Sequence, residues 1–434
     1  MRRLLTLHRL FDLRLGGSAV FDQAVVGGMG FVITIVVGRV GGTTELGLFA
    51  LVTTIWYLVL AFLDSAITVP FTVFVHRLEE DKRVVFAGSA MAHVIGLGVT
   101  GATVVGSFAA VLYWLQFTEL AVVLAALAVT IPFRLLRLFA RSFHYATLNL
   151  NGALTLDIAV AVLELAALAV LFQFNGLTAA GAFLGVGGAH LIAFSVWLMW
   201  NYSSFRIEGA QVRLDLFKNW GLGRWLVAGQ LATIVAGYSL PWIIAWMQNE
   251  SKTGIYFGCA TLVRIGAPFL VAVQNVLVPR SATAFAESGL DGLRRVVRRV
   301  TVGLVMGTGM FTIFLAVFGH YLVELFFGPD YAGQGAVVAL LAMNELAFAS
   351  MLGAASGLTV LERSELLFRS NLAAILVTVT LAWILISQLG LPGAAMAQFS
   401  GTFVGSLIAI LYYRRVVSTL QQAALADGPA ALVR

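Results

Sequence analysis

Several ionisable side chains fall inside long apolar stretches of this 434-residue chain, where each one costs free energy unless it is paired or wetted. Insertion scales put that cost at about 2.5–3.5 kcal/mol for a charge at mid-bilayer, so such residues mark pairs, ion paths or binding cavities. Asp22, beside Gln23, sits near the start of the first stretch, shallow enough to reach lipid headgroups. Asp64 lies in the second, one turn before Thr68. Asp157 and Glu164 are seven residues apart in the fifth and so share a helix face. They could carry a proton or sodium ion, or hold their helix to a neighbour. Arg264 in the eighth stretch and Asn344-Glu345 in the tenth lie about ten residues deep. Arginine cannot shed its charge. Arg264 therefore pairs with an acid such as Asp64 or faces a wet cavity that receives an anion, and we favour the cavity. Its planar donor fork suits phosphate oxygens. Gln230, Gln274, Asn275 and Asn371 add uncharged polarity within the stretches.

These residues must be positioned by membrane-crossing helices. Twelve apolar stretches reach the roughly 20 residues that a crossing needs. They run over 17–38, 46–75, 86–115, 119–138, 150–173, 180–200, 224–247, 254–278, 301–326, 334–358, 366–387 and 392–413. Of the 27 Lys and Arg, all but Arg39, Lys252 and Arg264 lie at the two termini or in the even-numbered gaps. Positive charge resists translocation, which places both termini in the cytoplasm. The third basic gap includes Arg134, Arg137 and Arg141.

Composition narrows the class further. Apolar residues make up 60% of the chain and charged ones 11%, which excludes a soluble domain. A β-barrel would need strands of about ten residues with alternating polarity, and these runs are far longer. The pI near 9.7 does not signal nucleic acid, because the charge is spread along one membrane face and suits anionic lipid heads. A lone Cys259 gives neither a disulfide framework nor a cysteine metal cluster. Residues 1–16 interleave Arg with Leu and Phe, as expected for an amphipathic helix on the inner leaflet. The segment Asp291–Val300 reads the same way.

With six helices each, two halves would enter the membrane in the same orientation, related by a pseudo-two-fold axis along its normal. The second stretch opens Gly47-Leu48-Phe49 and reaches Pro70; the eighth opens Gly254-Ile255-Tyr256 and reaches Pro279. The implied organisation is a tail-like start (1–16), an N-lobe (17–205), a cytoplasmic linker (206–223), a C-lobe (224–415) and a cytoplasmic tail (416–434). Gly237 with Pro241, and Gly266 with Pro268, are the candidate bends, since proline removes a helix hydrogen bond and crowds the preceding turn.

Catalysis finds little support. The odd-numbered gaps are short, the six histidines are scattered without metal-ligand spacing, and no phosphate-binding glycine loop followed by Lys-Ser/Thr occurs. The expectation is a transporter that is not an enzyme and needs neither cofactor nor metal.

Three passages resemble one family. Gly38-Arg39-Val40-Gly41-Gly42 through Gly47-Leu48-Phe49-Ala50 is similar to the first outer turn of the polysaccharide-transporter (Wzx-type) branch of the multidrug/oligosaccharidyl-lipid/polysaccharide exporter (MOP) superfamily. Phe326–Ala332 resembles its "FGPxY" turn, and Leu389–Ala397 its "GxxGAAxA" entrance to the last helix. The pattern covers residues 17–415. Gly254, Tyr256, Arg264, Pro268 and Pro279 also resemble the corresponding helix of the related lipid II flippases.

The resemblance implies an all-α fold of twelve helices in two lobes, with a central cavity lined by helices one, two, seven and eight. It implies an inner-membrane flippase for a polyprenyl-pyrophosphate-linked oligosaccharide, among membrane lipids, with a polysaccharide polymerase and a chain-length regulator as partners. Arg264 would meet the pyrophosphate, and Asp64, Asp157, Glu164 or Glu345 would couple H+ or Na+. Two rival readings stay open: a cation-coupled multidrug exporter, and a scaffold that moves nothing.

Overall fold

In the computed structural model residues 25–427 are described, apart from the side chains of 232, 236, 275 and 423–427. The amphipathic segment expected over 1–16, and Asp22 with Gln23, lie outside them. Among the described residues there is no strand. The helices are α1 (25–36), α2 (Gly42–Phe62), α3 (Val69–Val75), α4 (Glu80–Trp114), α5 (Thr118–Ala146), α6 (Leu150–Gln173) and α7 (Ala179–Asn201). They continue as α8 (Gly209–Met247), α9 (Glu250–Val263), α10 (Ala267–Phe327), α11 (Gly335–Val360), α12 (Ser364–Leu389) and α13 (Leu391–Asp427). Among the described residues nine helical runs are long and apolar enough to cross a membrane, and the bent α8 adds a tenth. Two of the nine, Val25–Val75 and Glu250–Phe327, have 51 and 78 residues, room for two crossings each. The chain is a multi-pass membrane protein, and the expected stretches from the second to the twelfth fall within these helical runs.

Each long run turns where its sequence disfavours a straight helix. A π-helical stretch, Val37–Gly41, leads into Gly42 at φ 85°, which only glycine adopts freely. In α10 the break falls at Ser288 and Gly289, with Gly289 at φ 59°. Glu45, in the first turn of α2, accepts a hydrogen bond from the Ala179 backbone N–H at 2.6 Å. A carboxylate thus caps the N-terminus of α7, where the helix dipole favours negative charge. Asn149, Thr178 and Asn249 cap α6, α7 and α9 in the same manner with uncharged oxygens.

The chain divides into two compact units at Ser239/Leu240. The core of the first is built by α2 to α7 around Phe71, Leu124, Leu127, Ile131, Leu135 and Phe139, all essentially buried. In the second, α10, α11 and α13 pack through Leu293, Leu358 and Tyr413, while Leu277, Leu304 and Leu352 form a neighbouring cluster. Large apolar side chains such as Val104, Phe172 and Met310 are more than half exposed, as expected of surfaces solvated by acyl chains.

The stretch expected to be a linker, 206–223, is instead helical from Gly209 onward. It packs into the first unit: His93 Nε2 lies 2.8 Å from the Val212 carbonyl, Lys218 Nζ sits 4.6 Å from the Phe74 ring, and Asn219 is fully buried. Hydropathy could not show this, because a helix that packs sideways with mixed polarity has no crossing signal.

Close approach between helices rests on small residues, as it must where lipid supplies no hydrophobic drive for association. A Cβ on Gly187 of α7 would come within 2.1 Å of Thr130 Cγ2 on α5. Thr130 is buried and β-branched, so it cannot swing away. Gly187→Val is therefore expected to cost about 1–3 kcal/mol through overpacking. Thermal unfolding of the purified variant in detergent checks this; an unchanged midpoint would show that the two helices are not in register there.

Candidate functional site

Among the described residues, charged side chains gather within apolar helices at one place in each unit. In the first unit, Arg134, Arg137 and Arg141 follow one another at i, i+3 and i+7, which puts them on one face of α5. The sequence reading set them in a gap after the fourth stretch; α5 runs on to Ala146 and includes all three. Facing them on α6 are Asp157 and Glu164, also seven apart. Arg137 Nη2 donates to Asp157 Oδ1, and Arg141 Nε donates to Asp157 Oδ2 at 2.7 Å. Asp157 is fully buried and Arg137 nearly so. Arg141 also reaches the Tyr145 hydroxyl at 3.3 Å.

Glu164 is held differently. Its Oε1 lies 3.0 Å from His190 Nε2 on α7, both side chains being buried. Arg134 lies flat over the Trp56 ring at 3.9 Å, with Phe183 at 5.6 Å. Stacking on an aromatic face compensates part of its desolvation, and Glu164 and Tyr57 lie within its electrostatic reach. Asp64 is half-buried within a π-helical stretch, Leu63–Thr68, and feels the field of Arg141. The π-stretch has a local cause: Pro70 has no N–H to give the Ala66 carbonyl and its ring crowds that turn. Three cations thus meet Asp64, Asp157 and Glu164, a balance that lets the group exist within apolar surroundings.

In the second unit, Arg264 occupies a break. A 3-10 turn, Arg264–Gly266, separates α9 from α10, and Pro268 stands at the second position of α10. Proline at i+4 cannot donate to the Arg264 carbonyl, which instead accepts from the Ala267 N–H. The same four-residue spacing joins Gly237 to Pro241, and α8 bends by 42° between Val235 and Gly237. Arg264 is exposed, while Glu345 on α11 and Tyr256 on α9 are close enough to interact with it electrostatically. Tyr256 is buried and donates its hydroxyl to Gln398 Oε1 on α13. A guanidinium and a carboxylate thus come together at the break, with the guanidinium exposed. Among the described residues, no group of three or more His, Cys, Asp or Glu could hold a metal.

The structure therefore brings Asp157 and Glu164 into one network with Asp64 at its edge, and brings Glu345 to Arg264. Sequence reasoning missed Arg134, Arg137, Arg141, His190 and Trp56 as members of the first site. Its signal was the matched spacing: i, i+3, i+7 cations on α5 against i, i+7 acids on α6.

No family model matches the sequence, and no curated protein matches it. Solved structures do. An inward-facing multidrug-resistance MATE family transporter of the MOP superfamily aligns with TM-score 0.74 at 14% identity, covering 93% of this chain and 96% of that one. The lipid II flippase MurJ, in an inward closed conformation, aligns with TM-score 0.69 at 11% identity over 96% and 93%. This chain shares their fold. A transporter of that superfamily from Pyrococcus furiosus, described as having a binding pocket of reversed polarity, aligns with TM-score 0.65 at 14% identity over 94% and 96%. The all-α, many-spanning architecture expected from the sequence is the one these structures share.

Proposed function

We propose that the chain is a flippase that carries a polyprenyl-pyrophosphate-linked oligosaccharide across a bacterial inner membrane for polysaccharide biosynthesis. One observation carries the reading: an exposed arginine, Arg264, at a proline-induced break within an apolar span. A wet site with a guanidinium can shelter a pyrophosphate and its sugars while the lipid tail stays among acyl chains. No charge then crosses hydrocarbon bare. Alternating exposure of the site to the two leaflets would complete the step, with Gly237–Pro241 and Gly266–Pro268 as bends. The alternating charge pattern supports cytoplasmic termini, and the likeness to a lipid II flippase supports a lipid-linked substrate. For coupling to H+ or Na+ we favour Asp64, in its π-helical stretch, and Glu345.

The MATE likeness favours a second reading, a cation-coupled drug exporter. That reading wants a surplus of acids free to meet a cation. Asp157 is clasped by two guanidiniums and Glu164 is engaged by His190, so of the candidate acids among the described residues Asp64 and Glu345 are left to serve it. Disrupting the gene separates the two: the flippase reading expects lipid-linked oligosaccharide to accumulate with drug tolerance unchanged. Lost drug tolerance with no such accumulation would favour the exporter.

A further inference from the structure

A second polar recess lies within the unit that begins at Leu240. It is a cleft of about 350 Å³, formed where the end of α8, the first turn of α9, the turn before α11 and the α12–α13 turn come together. Gln248, Lys252 and Gln334 supply its polar wall, and Leu391 and Pro392 an apolar edge. Positive-φ glycines, Gly333 and Gly390, form the rest of the wall from bare backbone. The volume falls in the range of small-molecule pockets. The resemblance passage 389–397 begins in its wall and the passage 326–332 stops one residue short of it, yet neither Arg264 nor the coupling acids line it.

The chemistry of the wall narrows the occupant. Gln248 Oε1 is buried and accepts no hydrogen bond. A buried acceptor without a donor costs free energy comparable to a lost hydrogen bond, and a side-chain rotation that turns this oxygen into the cleft to meet a donating ligand would recover that cost. Gln334 makes only a long contact, 3.4 Å to the Ala332 carbonyl, and keeps most of its capacity. Lys252 is exposed, and with Arg39 it is one of two cations in the gaps otherwise bare of positive charge. Amides for hydroxyls, an apolar edge for a C–H face and one ammonium together describe a hydroxylated anion.

We infer that this cleft is a saccharide subsite, selective for a sugar bearing a carboxylate, that receives the glycan on the side away from the basic gaps. The inference rests on the flippase reading for its role but not for its binding chemistry. The full-length protein in phosphatidylcholine nanodiscs, probed with glucuronic acid and with glucose by saturation-transfer NMR, tests it. Signal is expected for both sugars, stronger for the acid. Lys252→Ala should weaken the acid by about fivefold, the scale of one exposed ion pair, and leave glucose unchanged. Gln248→Ala should weaken both. Signal absent from the unmodified protein, or indifferent to both variants, would overturn the subsite. So would signal abolished by phosphatidylglycerol, which would reassign the cleft to a lipid headgroup. Binding as described without lipid-linked sugar transport would sink the flippase reading alone; transport without binding would sink the subsite alone.

Discussion

Arg264→Ala is expected to reduce movement of lipid-linked oligosaccharide by about tenfold or more while the protein still inserts and folds. The residue is exposed at a helix break, so its removal leaves no cavity in a packed core. What is lost is a permanent, bidentate partner for phosphate oxygens. Arg264→Lys should recover only part of the rate, because an ammonium keeps the charge but not the planar fork. Glu345, the neighbouring acid, gives an internal control. Glu345→Gln removes the carboxylate that competes with a bound anion, so it should leave affinity for the lipid-linked substrate intact or improved even if coupling suffers. Equal transport in Arg264→Ala and the unmodified protein would remove the guanidinium from the mechanism.

The second large effect concerns the clasp between α5 and α6. Asp157→Leu should destabilise the first unit by about 3–5 kcal/mol, since it strands the buried Arg137 guanidinium and the partly buried one of Arg141. Arg137→Leu should cost less, because Arg141 still satisfies Asp157 at 2.7 Å. Combining the two replacements should be milder than Asp157→Leu alone, a non-additivity that arises only between groups in contact. Unfolding midpoints of the three variants in one detergent give the comparison. Were Asp157 instead an ion carrier with no structural duty, Asp157→Asn would stop transport without shifting the midpoint.

These two residues also show what could be read in one dimension and what could not. Arg264 stood out because it interrupts an apolar run and precedes Pro268 by four residues, and the break is where proline chemistry puts it. The spans themselves were legible, since a crossing needs length and apolarity and little else. The α5 arginines were not. Averaged hydropathy counts each as a reason to end a helix, and their compensation comes from α6, α2 and α7, out of sequence reach. The start of α8 was lost for a related reason: Asp215, Lys218 and Asn219 read as polar linker, yet two of them are buried against the first unit and Lys218 lies on an aromatic ring. Asp64 was visible as an acid, but its π-helical setting follows from a proline six residues on and from packing that no local pattern encodes.

The central claim is that this chain moves a glycan donor between leaflets. Its most direct test uses proteoliposomes holding only the purified protein and a labelled polyprenyl-pyrophosphate oligosaccharide. A membrane-impermeant glycosidase added outside then reports how much sugar faces outward over time. The account expects inner-leaflet label to become cleavable far faster than in protein-free vesicles, and to slow sharply with Arg264→Ala. Label that stays protected at the protein-free rate would contradict it.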